Sequence, residues 1–279
     1  MSYYRLFIAN YYVIVVAIIG LTNGCKQRYN ISHLEDLLQH PEEVTTQQLI
    51  ETCNGIGQGA DDILKRATDS EHDIDTRLKY IKTLLHLDTN KYLIYVIKQD
   101  DIFNSRSEHI IRYLEGRLNK QSEIILHGII RDEMNIRFIA ALRILDRIAD
   151  SPETLDLAKH ILRSRNLSTD ETIAAIGLLA NASYYNNDMS AIDDIKPFID
   201  HQERSIRNMI WFCLVSIPGE EVDTLIKYIG KHSPDGYDPS IVNAHLIERK
   251  RLMGINPRIA PGWSSKELER RGIMRLSHP

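Results

Sequence analysis

Glycine and proline are scarce in this chain, 14 and 9 residues out of 279. No stretch alternates apolar with polar side chains over strand length, so a turn-rich β architecture is excluded. Cysteine is scarcer still, with Cys25, Cys53 and Cys213 the complete set. Cys53 and Cys213 lie far apart, and Cys213 sits inside the run Met209-Ile210-Trp211-Phe212-Cys213-Leu214. Both read as small buried hydrophobes rather than a disulfide or a metal pair. The net charge of −4 lacks the basic excess that general nucleic-acid binding needs. Also missing are a His-Glu-x-x-His helix, a Walker-type glycine loop and a Gly-x-Ser-x-Gly elbow. The expectation is therefore no cofactor, no metal and no nucleic-acid partner. What the chain has instead is apolar residues at spacings of three and four almost throughout, the period of an all-α protein.

One segment lacks charge altogether. Residues 6–21 (LFIANYYVIVVAIIGL) are uncharged, and only Arg5 and the amino terminus precede them with charge. A basic start, an apolar stretch and small residues ahead of Cys25 match a secretory signal, residues 1–24, cut at a cysteine. A spanning helix is the rival. Sixteen helical residues cover about 24 Å, short of a hydrocarbon core of about 30 Å. Asn10, Tyr11 and Tyr12 weaken such a span further.

This segment resembles the lipobox of bacterial lipoproteins, where Gly or Ala precedes an invariant Cys, as Gly24 precedes Cys25. The resemblance implies that the Cys25 thiol carries a diacylglycerol, that the peptide is cut before it, and that the new amino terminus is acylated. Cys25 is then the lipid attachment site, and the protein sits at the cell membrane or outer membrane on the periplasmic or surface side. Thr22 and Asn23 depart from the pattern, since a Leu usually stands where Thr22 does. A plain anchor and cleavage without lipid remain the alternatives. An exported chain without disulfides draws its stability from its own core, which points to helical packing.

The periodicity predicts helices over 31–40, 44–53, 59–67, 74–87, 90–98, 105–118, 120–132, 135–149, 152–164, 169–184, 188–199, 202–216, 219–231 and 239–253, with a short one at 265–271. Ser151-Pro152-Glu153 supplies a cap, a proline at the first helical position and an acid in the first turn. Ser168 and Glu171 form a capping box. Asp238-Pro239 and Ser264 to Glu267 repeat the two devices. Connections of two to five residues force neighbouring helices antiparallel.

The chain also repeats itself. Ile139-Ala140-Ala141-Leu142 aligns with Ile173-Ala174-Ala175-Ile176 at an offset of 34, and Leu145 then meets Leu179. A further shift of 33 sets Ile173, Ile176, Leu179 and Ala182 on Ile206, Met209, Phe212 and Val215. Each such helix is followed by a second, shorter amphipathic one, and pairs starting near 74 and 105 fit a period of about 30. These pairs resemble HEAT-like repeats, whose aliphatic-Arg dipeptide has counterparts in Ile136-Arg137 and Ile206-Arg207. Thr172-Ile173 stands in its place in the helix between, and the proline that bends longer HEAT units is absent. The resemblance implies a right-handed α-solenoid of antiparallel helix pairs over 74–231, with an N-terminal helical cap at 25–73 and a C-terminal capping helix and extended tail at 232–279. Residues 246–275 hold eight Lys or Arg against three Glu. That tail reads as a cap anchored by Trp263, or as a basic arm for an acidic partner or lipid headgroups.

Individual residues offer little chemistry. Gly55-Ile56-Gly57-Gln58-Gly59 lies between helices, so it reads as a corner rather than a phosphate cradle. His127 and His160 fall within amphipathic helices as ordinary surface or core residues. Asp61-Asp62 suits a helix start, while Asp100-Asp101 and Asp193-Asp194 read as solvated. Sequons at Asn30, Asn166 and Asn181 carry no weight, Asn181 falling inside a predicted helix. The leading expectation is a binding module, an adaptor tethered at Cys25 that grips a protein on a concave helical surface. Some HEAT-like proteins are lyases acting on bilin attachment or DNA glycosylases, but export separates this chain from those substrates. An envelope-resident immunity protein is the third class.

Overall fold

A computed structural model describes residues 29–69, 72–132, 137–164 and 166–255. Cys25, the signal segment, Trp263 and the helix expected at 265–271 lie outside the described residues. Within them the protein is all-α, with fourteen α-helices and no strand. It divides into two compact units, Met1–Asp88 and Thr89–Pro279.

In the first unit, four helices pack on one another: α1 (Ile31–Gln39), α2 (Thr46–Ile56), α3 (Ala60–Thr68) and α4 (Ile74–Leu87). Each start has a physical cause. The Asn30 side chain accepts the His33 amide at 2.8 Å, Thr45 and Gln48 form a capping box, and Asp73 accepts the amides of Asp75 and Thr76. Gly57 and Gly59 turn the corner between α2 and α3 at φ of 75° and 92°, where a side chain would be strained. Leu34, Leu49, Leu64, Ile81 and Leu84 are fully buried and form the core. Lys79 donates to the carbonyls of Pro41 and Val44, 2.6 Å each, and so pins the short turn after α1 onto α4.

In the second unit two series of helices interleave. α5 (Thr89–Ile97), α7 (Lys120–Arg131), α9 (Pro152–Ser164), α11 (Ala191–Ile195) and α13 (Glu221–His232) form one series, the second helices by the order of the repeat. Among them run the first helices α6 (Asp100–Leu114), α8 (Phe138–Leu145), α10 (Thr169–Asn186) and α12 (Arg204–Cys213), and α14 (Pro239–Ile255) follows. The expected shorter second helix holds for α11 after α10 but not for α9 after α8 or α13 after α12. Neighbours pack in sequence: α7 on α8, α9 on α10, α8 on α10, α10 on α12, and α13 on α14. The Ser168–Glu171 capping box forms as expected, and Thr154 donates its amide to Ser151 at the start of α9.

Burial gives the repeat its true phase. Phe138, Thr172 and Ile206 are all buried, and so are Leu142, Ile176 and Ile210. The series continues with Leu145, Leu179 and Cys213, then Ala149, Ser183 and Ile217. Both steps are therefore 34 residues, and the 33-residue second step is corrected. Phe212, which that shift placed on the buried Leu179, is 61% exposed. α12 carries apolar residues on two faces, so two phases fit its pattern, and the polar Thr172 hides where the buried face begins.

Several helices differ from their expected spans, α6, α8 and α11 most of all. α6 starts at Asp100 and breaks at Arg106 (φ −135°, ψ 23°), then ends before Gly116, whose φ is 77°. α8 closes as a tighter turn over Asp146–Ile148. α11 is only five residues long and passes into the turn Lys196–Phe198, because Pro197 supplies no amide for a continued α-helix.

Candidate interaction face

The second helices of the Thr89–Ile255 region are joined to one another by polar contacts, and those contacts set which way each helix faces. Ser122 on α7 donates to the Asn90 side chain on α5 at 2.6 Å. Glu123 on α7 accepts from Ser151 and, at 2.8 Å, from Thr154 on α9. Lys159 and Arg163 on α9 reach Asp188 and Asp194, the second as a fork of two bonds. Lys196 then meets Glu221 at 3.4 Å, and Asp223 on α13 accepts from Arg249 on α14 at 2.6 Å. A polar ladder thus runs from α5 to α14.

With the ladder side turned inward, the opposite stripe of each helix faces solvent. On α5 the exposed residues are Lys91, Ile94 and, just past its end, Lys98. On α7 they are Gln121, Ile124, Gly128 and Arg131; on α9, Glu153, Asp156 and His160. On α13, Thr224, Tyr228 and Lys231 repeat the register. Steps of three and four put each set on one helical face. Ile124 and Tyr228 are 55% and 52% exposed, large apolar side chains turned to water in a folded chain.

A buried titratable cluster lies beneath this face. Glu123, His127, Ser151 and Thr154 are all buried, with Lys120 at the rim, 2.9 Å from the Glu123 carboxylate. Burial alone would raise the Glu123 carboxyl; hydrogen bonds from Ser151, Lys120 and Thr154 outweigh it and hold the group below its ordinary range. Burial lowers His127, with Glu123 pulling weakly the other way. Thr154 spends its hydroxyl proton on Glu123, so the His127 Nε2, 2.8 Å from that hydroxyl, is the donor. Ser151 donates to Glu123 while accepting the Thr154 amide. Its oxygen also caps the start of α9, so the cluster fastens α7 to α9.

The other residues singled out by the sequence have structural duties. Cys53 and Cys213 are free and buried, and burial followed by the nearby Asp61 pushes the Cys53 thiol up to about 12. Asp61 and Asp62 open α3, as expected. Asp194 is not solvated: it is buried under the Arg163 guanidinium, a partner 31 residues away with no local signal. Asn181 lies inside α10, buried, and donates to Asp146 at 2.7 Å. His160 is exposed on α9. Among the described residues, no helix is long and apolar enough to cross a membrane. In comparisons with known proteins, the chain matches no family model, no curated protein and no solved structure.

Proposed function

We propose that this chain is a membrane-tethered lipoprotein of the bacterial cell envelope that serves as a protein-binding scaffold, its helix pairs a HEAT-like stack and its tether the Cys25 thiol. The observation that carries the binding role is the repeated solvent-facing stripe of the second helices. It holds Ile94, Ile124 and Tyr228 out of the core while the ladder occupies the opposite side. Large exposed apolar side chains on a rigid surface mark a place where another molecule is expected. Stacked helix pairs commonly use such surfaces to grip proteins. The tether rests on the uncharged run 6–21 and Gly24-Cys25.

Two measurements test the two halves. A photo-crosslinking side chain placed at Ile94, Ile124 or Tyr228 in cells yields a protein adduct, whereas one at the exposed Arg143 of α8 does not. Equal labelling from Arg143 removes the special status of the second-helix face. Cys25→Ser releases the protein from the membrane and changes its processed size; a variant still bound and unchanged in size removes the lipid tether.

A further inference from the structure

α14 belongs to the repeat by sequence and leaves it by orientation. A further step of 34 residues carries Ile206, Ile210 and Cys213 onto Ser240, Ala244 and Ile247. At these positions α8, α10 and α12 are buried throughout. On α14 all three are exposed, Ile247 by 60%. The cause is a rotation of the helix about its own axis. Met209 on α12 lies against Gly177 on α10, where an added Cβ would strike its terminal methyl. One repeat on, the same contact would pair Trp211 with Asn243. His245 takes that place, stacked on the indole at 4.3 Å with its Nε2 donating to the Trp211 carbonyl. Two residues are about 200° of helix, so α14 is turned by more than half a revolution. Val242, against Gly230 of α13, and the buried Arg249 and Leu252 form its new inner side. Outward it presents Ile241, Ala244 and Ile247 in steps of three, with Arg251 beyond them tied to Glu248.

We infer that residues 256–279 of this same chain cover that face, with the Trp263 indole seated over Ala244 between Ile241 and Ile247. The inference goes beyond the protein-binding reading and concerns a helix outside that surface. The segment starts where α14 ends. Ile247 stands eight residues before Ile255, about 12 Å along the helix, and Ile241 about 21 Å. Trp263 stands eight residues after Ile255, which is about 26 Å of extended chain. Pro257 and Pro261 favour that extended backbone and bring no amide to leave unpaired on an apolar surface. A chain that reverses after Gly254 therefore has Trp263 within reach of both isoleucines. Ala244, the smallest side chain of the stripe, leaves room for a flat ring. A second copy of the protein is the rival occupant. A stable dimer buries about 800 Å² on each partner, more than two turns of one helix with two large apolar side chains supply. A segment of the same chain manages with less, because its effective concentration is about millimolar.

Tryptophan fluorescence tests this directly. Trp211 and Trp263 are the two tryptophans of the chain, and Trp211 is buried between the rings of Tyr237 and His245. Acrylamide quenching of the full-length protein, with Trp263→Phe measured beside it to subtract Trp211, reads the Trp263 ring alone. In the wild type that component is quenched at least threefold less than a free indole, and a hundredfold dilution does not change it. Ile247→Asp, an exchange at an exposed position, raises its quenching to the free-indole level, and Ile241→Asp does the same. Ile247→Leu leaves it protected. The Trp211 component stays constant in all three variants, which separates loss of the seat from loss of the fold. Wild-type Trp263 quenched like a free indole overturns the inference. So does protection that survives both Ile247→Asp and Ile241→Asp. Protection lost on dilution, together with a dimer in sedimentation that Ile247→Asp disperses, assigns the face to a second copy and overturns it as well.

Discussion

Between successive repeats, the first helices meet mainly through hydrocarbon, Asn181–Asp146 being a polar exception, and the second helices are joined by a chain of hydrogen bonds and ion pairs. α8, α10 and α12 bury Leu142, Ile176 and Ile210 at the same position of each repeat, whereas α7, α9 and α11 are joined through Glu123, Thr154, Arg163 and Asp194. The two layers have different tasks. Apolar contact is non-directional and scales with area, so it supplies stability while discriminating weakly between neighbouring registers. A carboxylate that must meet two hydroxyls within hydrogen-bond distance discriminates sharply. Buried apolar contact supplies the cohesion, and the polar contacts of the second helices fix the step of the repeat.

The largest expected effect lies in the first layer. Leu142→Ala or Ile176→Ala, each at a fully buried position, lowers the free energy of unfolding by about 2–5 kcal/mol in urea titrations. A loss below about 1 kcal/mol would move the source of cohesion elsewhere. Next comes the ladder: Glu123→Ala strands the buried Ser151 and Thr154 hydroxyls and costs about 1–3 kcal/mol. Glu123→Gln keeps an acceptor and costs less. If the two variants are equally stable, the cluster does not hold the layers in step.

A smaller effect depends on pH. Burial lowers His127 from its ordinary 6.5, against the pull of Glu123, so below that pH the unfolded chain takes up a proton before the folded one. Stability from this residue is complete above 6.5 and declines as the pH falls. His245 acts in the same direction, its burial outweighing the Trp211 carbonyl beside it. Glu123, held below 4.5, adds a later loss as the pH falls through its folded value. Thermal melts at pH 7 and pH 5.5 therefore converge in His127→Gln, and converge further when His245→Gln is added. Unchanged pH dependence in the double variant removes both residues from the acid response.

The smallest effect is the most pointed. Phe212 stands at the repeat position of Leu178 and Ile144, both fully buried, yet it is 61% exposed. α14 meets α12 at the neighbouring Trp211 instead, where the His245 ring stacks at 4.3 Å. Phe212→Ser changes stability by no more than about 0.5 kcal/mol. Ile144→Ser is severe by comparison, and equal losses at the two positions would contradict the 34-residue phase.

Much of the fold was legible in the sequence because its determinants are local. α4 and α9 span the residues their periodicity predicted, and the Ser168–Glu171 box needs only four residues to be recognised. What escaped local reading is long-range. Glu123 meets Thr154, and Arg163 meets Asp194, across 31 residues, and neither pair differs in sequence from solvated charge. The stripe Gln121-Ile124-Gly128-Arg131 was equally present in the sequence, but an amphipathic pattern does not announce which of its polar sides is covered. The ladder decides that, and the ladder exists only once neighbouring repeats have folded. Cys25, the residue with the plainest chemical meaning in the sequence, lies outside the described residues.

Arg249 gives the far end of the stack its own logic. Its buried guanidinium donates to the carbonyls of Leu214, Ile217 and Gly219 and to the Asp223 carboxylate. These acceptors come from the end of α12, the following turn and the start of α13, so one side chain ties three consecutive segments to α14. A chain shortened to end before this arginine would leave the carbonyls to water. Unravelling could then begin at that edge and pass backward, repeat by repeat, as a zipper opens once its stop is removed.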